Sequence, residues 1–146
     1  MSKTVAFFIF ILIGNLVFSQ KNEEAVFFTQ KAQIGKFYSI NDLEAMKKGE
    51  LIKLYQDRVA EILAVLPFLS LTNEAGVQLA DIGIKEDSRH LKVLKSSKEA
   101  AQESLEAHKV AIEELVAYAD TEKIIRTILY YEEFIKKMRI GVNGNF

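Results

Sequence analysis

Between Ser88 and Ala119, Leu91, Leu94, Lys98, Ala101, Leu105, His108, Ile112, Leu115 and Ala119 recur at alternating steps of three and four residues. That spacing keeps the set on one face of an α-helix, and it is sustained for about four heptads, as in a coiled coil. An amphipathic helix of this length needs other helices to cover its apolar stripe. Glu86, Asp87 and Ser88 precede it. Asp87 or Ser88 can accept an otherwise unpaired backbone N–H, and acids suit the positive end of the helix dipole.

A second helix is expected directly afterwards. Asp120 and Thr121 are good N-cap residues, and Ile124, Ile125, Ile128, Leu129, Tyr131, Ile135 and Met138 mark an apolar face. Lys136, Lys137 and Arg139 load its last turn, Gly141 is placed to stop it, and the tail Val142–Phe146 is expected to fray. The short connection implies that the helix folds back antiparallel to its predecessor. Upstream, Ser39 with Asp42, or Asn41 with Glu44, has the spacing of a capping box, with Tyr38 and Leu43 as a hydrophobic staple. The helix that starts there runs to Pro67, and Gly49 divides it into a short piece and a longer one. Phe27, Phe28, Ile34 and Phe37 predict a short first helix over 22–37. Gly76 and Gly83 leave 69–85 as a loop with one helical turn at most. The expected fold is all-α, an antiparallel helical bundle of three long helices plus a shorter N-terminal helix.

The N-terminus carries a different message. Lys3 precedes an almost unbroken apolar run from Val5 to Val17, shorter than the roughly 20 residues of a membrane-spanning helix and close to a signal peptide's hydrophobic region. Val17 and Ser19 fit the small-residue positions of a signal peptidase site, so residues 1–19 are expected to be a cleavable signal and 20–146 a single helical domain. The Ser19–Gln20 junction resembles export signals of Gram-negative Bacteroidota, which implies a periplasmic or secreted protein with no membrane span after cleavage.

Removing the leader takes away one base, Lys3, and no acid, leaving 18 basic and 20 acidic side chains. So even a balance provides no field to attract nucleic acid. The chain has no cysteine, which excludes disulfides, thiol catalysis and lipid attachment at cysteine. Helix packing alone must hold the exported protein together.

Candidate site residues are few. His108 interrupts the apolar stripe, yet the position three before it is Leu105 rather than the Glu of a di-metal Glu-x-x-His motif. Together with His90 it is too little for zinc, so neither metal nor cofactor is expected. Glu99, Glu103, Glu106 and Glu113 have the spacing of a solvated helix face. Arg58 and Glu132 fall near the apolar faces of their helices, where they either pair in the interior or snorkel at its rim. Tyr118, Tyr130 and Tyr131, with Phe134 nearby, are candidates to line an aromatic pocket. No phosphate-binding glycine loop, Ser-His-Asp order or His-Glu-x-x-His motif is present, which argues against an enzyme. Two functions are expected to compete. One is a noncatalytic interaction or structural module of the bacterial cell envelope, with a protein partner or as a homodimer. The other is a small-molecule-binding bundle using Tyr118, Tyr130 and His108.

Overall fold

A computed structural model describes residues 22–141. The expected leader and the tail beyond Gly141 lie outside the described residues. Among the described residues, four α-helices carry the fold: α1 (Ile40–Glu44), α2 (Lys48–Val65), α3 (Ser88–Leu115) and α4 (Thr121–Ile140). The architecture is all-α, as the periodicity predicts.

Local chemistry sets the helix ends. Ser39 and Asp42 form the reciprocal capping box that opens α1, with Ser39 N donating to Asp42 Oδ2 at 2.9 Å and Asp42 N to Ser39 Oγ at 3.3 Å. The helix is interrupted at 45–47, and Glu50 then accepts from Lys47 N at 2.8 Å to start α2. Gly49 thus sits in the first turn of α2 rather than in a helix interior. Pro67 lies in the 3-10 turn Leu66–Phe68 that follows α2. Asp87 Oδ1 accepts from Arg89 N and His90 N at 3.1 and 3.0 Å and caps α3. At the end of α4, Gly141 adopts φ +81° and ψ 175°, a backbone region open in practice only to glycine.

Residue pairing fixes the helix directions. Gln56 meets Glu113 and Phe68 lies with Leu94, so α3 runs antiparallel to α2. Leu51 packs with Ile124 and Ile128, and Arg58 meets Glu132, so α4 runs parallel to α2 and antiparallel to α3. The antiparallel turn after α3 is therefore as expected, but α4 packs mainly on α2. With α2 in the middle, α3 and α4 flank it. One apolar cluster joins Phe27, Phe28, Val65, Phe68, Leu79, Leu94, Ile135 and Met138. A second, at the other end, joins Leu43, Leu51, Ile124, Ile125 and Ile128.

The segment 22–37 departs from the helix expected there. It consists of two 3-10 turns, Glu23–Ala25 and Gln30–Ala32, joined and followed by extended backbone. Its neighbours supply the reason. Phe27 N donates to Val77 O, Leu79 N to Ala25 O and Gly76 N to Phe28 O, a short antiparallel pairing, and the adjacent Phe27 and Phe28 are both buried in the core. Farther on, buried carboxylates of α2 and α4 capture the N–H groups of Ile34 and Tyr38, which a helix would have used internally. The 69–85 connection contains one helical turn, Ala80–Ile82, as expected.

Candidate functional site: the ionic seam, the clefts and the open face of α3

Arg58 and Glu132 are 2% and 1% exposed, and they pair in the interior. Arg58 Nε donates to Glu132 Oε1 at 3.1 Å, and Nη2 donates both to the same oxygen and to Lys36 O. The second carboxylate oxygen accepts from Tyr38 N at 2.9 Å. The interior alternative for this pair is therefore the observed one. One turn along α2, Glu61 is buried too and accepts from Arg139 Nε and Nη2, each at 2.9 Å, and from Ile34 N at 2.6 Å. Arg139 Nη2 also donates to Ile34 O at 2.8 Å.

These two pairs join α2 to α4 and clasp the strap Ile34–Tyr38 over the seam. Phe37 lies beneath Arg139 and Lys136, and Tyr38 beside Lys36 and Arg58, each cation 4.5–5.5 Å from the ring centroid. Among the described residues, every buried side-chain polar atom has a hydrogen-bond partner. Satisfied in this way, the network specifies register. The order on α2 is base then acid, on α4 acid then base, so a slide along the seam brings like charges together. Sequence motifs do not single out Glu61 and Arg139, because an arginine in a last helical turn is explained by the helix dipole alone. A signal existed: Arg58 and Glu61 at i, i+3 and Glu132 and Arg139 at i, i+7 mark one face of each helix with complementary charges.

The aromatic candidates disperse. Tyr118 is 90% exposed, and Tyr130 is exposed with its ring 6.2 Å from that of Tyr131. The closer pair is Tyr55 with Tyr131, ring centroids 5.4 Å and hydroxyl oxygens 3.4 Å apart. Burial first, and then the Tyr131 hydroxyl, push the Tyr55 phenol up to about 12. His108 is exposed, and its Nδ1 donates to Ser104 O at 2.7 Å. It borders an apolar cleft of about 360 Å³ between α2, α3 and α4, lined also by Tyr55, Val59, Ile112, Leu115 and Tyr131. Of the three residues expected to make a pocket, His108 is on this cleft, while Tyr118 and Tyr130 are not among its lining residues.

Two further clefts lie along the other edge of α3. One, of about 230 Å³, is lined by Phe27, Phe28, Leu63, Lys98, Ala101 and Leu105. Desolvation lowers the Lys98 ammonium there, opposed by the nearby Glu24 carboxylate. The other, of about 580 Å³, runs under the strap past Lys36, Tyr38, Asp57 and Arg58.

Clefts on both sides reflect how little of α3 is covered. Only Leu94 and Ile112 of its 28 residues are buried, against six of 20 in α4. Leu91, Lys98, Ala101 and Leu105 of the predicted stripe are half-buried, and Leu115 stands 70% exposed. Val93, at the rim of a cleft beside Phe68 and Leu71, and Val110, on the outward side, are also open to solvent. Among the described residues there is no group of three or more His, Asp or Glu placed to hold a metal ion, and no helix long and apolar enough to cross a membrane. No protein family, curated protein or solved structure matches this chain.

Proposed function

We propose that this chain is an exported, noncatalytic interaction module of the bacterial cell envelope whose working surface is α3. One observation carries the reading: the longest helix buries two side chains in 28 while exposing Val93, Val110 and Leu115. Exposed large apolar residues occur elsewhere too, at Ile40, Leu66, Leu71, Tyr118, Tyr130 and Ile140, but on α3 they stand beside clefts on a helix that is largely uncovered, as a protein-binding surface requires. Export follows from the leader-like sequence of residues 1–19. A photo-crosslinking amino acid at Val110, in protein expressed in an exporting host, should yield adducts, while the same label at exposed Lys53 on α2 should not. Equal labelling at both positions, or none at either, would remove the support for α3 as the working surface.

A second reading, a small-molecule-binding bundle, is favoured by the Tyr55–Tyr131–His108 cleft. Its size falls within the range of ligand sites, and its lining is apolar with a few polar groups. Native mass spectrometry of protein purified from the exporting host should then show a retained ligand, lost in Ile112→Trp, which fills the cleft. Bare protein mass in both would refute this reading.

A further inference from the structure

We infer that the partner of α3 is a second copy of this chain, packed antiparallel along the same helix. The inference rests on α3 being the working surface and adds the identity of what covers it.

The outward side of α3 is itself a regular stripe. Arg89, Val93, Ser96, Ala100, Glu103, Ala107, Val110 and Glu114 follow one another at steps of four and three, and all eight are exposed. Those steps hold residues on one helix face turned away from the stripe that packs on α2, with Val93 at its edge, where it also borders a cleft with Phe68 and Leu71. The series is also symmetric about the middle of the helix. Laid antiparallel on a second α3 with the midpoints together, Arg89 faces Glu114 of the second copy, Val93 faces Val110 and Ser96 faces Ala107. Each match occurs twice, as a two-fold interface demands. Val93 and Val110, 63% and 61% exposed here, would cover each other. The small residues between them let the helix axes approach.

Charge makes the same choice of direction. From 88 to 98, α3 carries Arg89, Lys92, Lys95 and Lys98 and no acid; from 99 to 115 it carries five glutamates against Lys109. Its first turn has no acid and its last turn no base, so the gradient opposes the helix's own dipole. Within one chain that arrangement is unfavourable, and Glu24 beside Lys98 offsets only part of it. An antiparallel copy sets each basic half against an acidic one. A parallel copy would set like against like. Glu103 near the dyad is the position where the two copies repel.

The test is an exchange of charges measured by sedimentation equilibrium of the full mature protein. Wild type should form dimers that weaken with rising salt. Arg89→Glu and Glu114→Arg, both at exposed positions, should each weaken association about tenfold or more, because two attractive pairs become repulsive. Mixing the two variants should restore it, since the heterodimer recovers both pairs. Circular dichroism equal to wild type confirms that the variants fold. A wild type that stays monomeric at several hundred micromolar, or a mixture no tighter than its components, overturns the inference. The Val110 crosslink separates this failure from that of the functional reading. An adduct of twice the chain mass supports both. An adduct of another mass leaves α3 as a working surface but overturns self-pairing. No adduct overturns both.

Discussion

The two seams of α2 differ in kind. Toward α4 it is closed: Ile124, Ile125, Ile128, Ile135 and Met138 are buried, and two Arg–carboxylate pairs cross the interface with their hydrogen bonds satisfied. Toward α3 it is open, with Leu94 and Ile112 buried and clefts along both edges. Similar amphipathic patterns thus lead to different degrees of coverage. The cause is geometric, because α4 spends its apolar face on α2 and leaves little of it for α3.

The largest expected effect lies in the closed seam. Glu132→Ala leaves Arg58 buried without a counter-charge and should cost about 3–5 kcal/mol in denaturant unfolding. Replacing both, as Arg58→Met with Glu132→Leu, should recover most of that loss, since desolvating the pair offsets much of its attraction. A single variant as stable as wild type would show that the pair is solvated.

Next comes truncation of apolar side chains on either side of α2. Ile128→Ala, at a fully buried site, should cost about 2–5 kcal/mol. Leu105→Ala, half-buried on α3, should cost about 1 kcal/mol, in proportion to the area it covers. Equal costs would erase the contrast between the seams. Smaller again is the cap: Asp87→Ala removes the acceptor of two N–H groups and should lower stability less than either truncation, with fraying confined to the start of α3.

The smallest effects are read in pH. Tyr55 holds its proton to about 12, above the usual 10, so the folded state binds more protons between those values. Its contribution is complete below pH 10 and falls as pH rises toward 12, and Tyr55→Phe should remove that part of the alkaline loss. At the acid end, the Ser39 hydroxyl and N–H lower Asp42, and the N–H of His90 foremost lowers Asp87. Both contribute above the usual carboxylate range, and stability should decline as pH drops through it.

The features legible in the sequence were those set by near neighbours. The Ser39–Asp42 box, the Asp87 cap, the glycine stop at 141 and the extent of α3 and α4 all follow from residues within a turn of one another. Segment 22–37 was not legible, because its backbone is held by residues far along the chain: Val77 for Phe27, Glu61 for Ile34 and, at the residue that follows it, Glu132 for Tyr38. The candidate site divides in the same way. The possibility of an Arg58–Glu132 pair could be read from two amphipathic faces, whereas the shift of the aromatic pair to Tyr55–Tyr131 depends on how α2 and α4 align.

Amide hydrogen exchange, resolved by residue and run at a concentration too low for association, tests the contrast between closed and open seams most directly. The amides of Ile124–Met138 in α4 and Leu51–Val65 in α2 should exchange only through global unfolding, with those of 103–111 in α3 faster by orders of magnitude through local opening. Protection of 103–111 equal to that of α4 under these conditions would contradict the account.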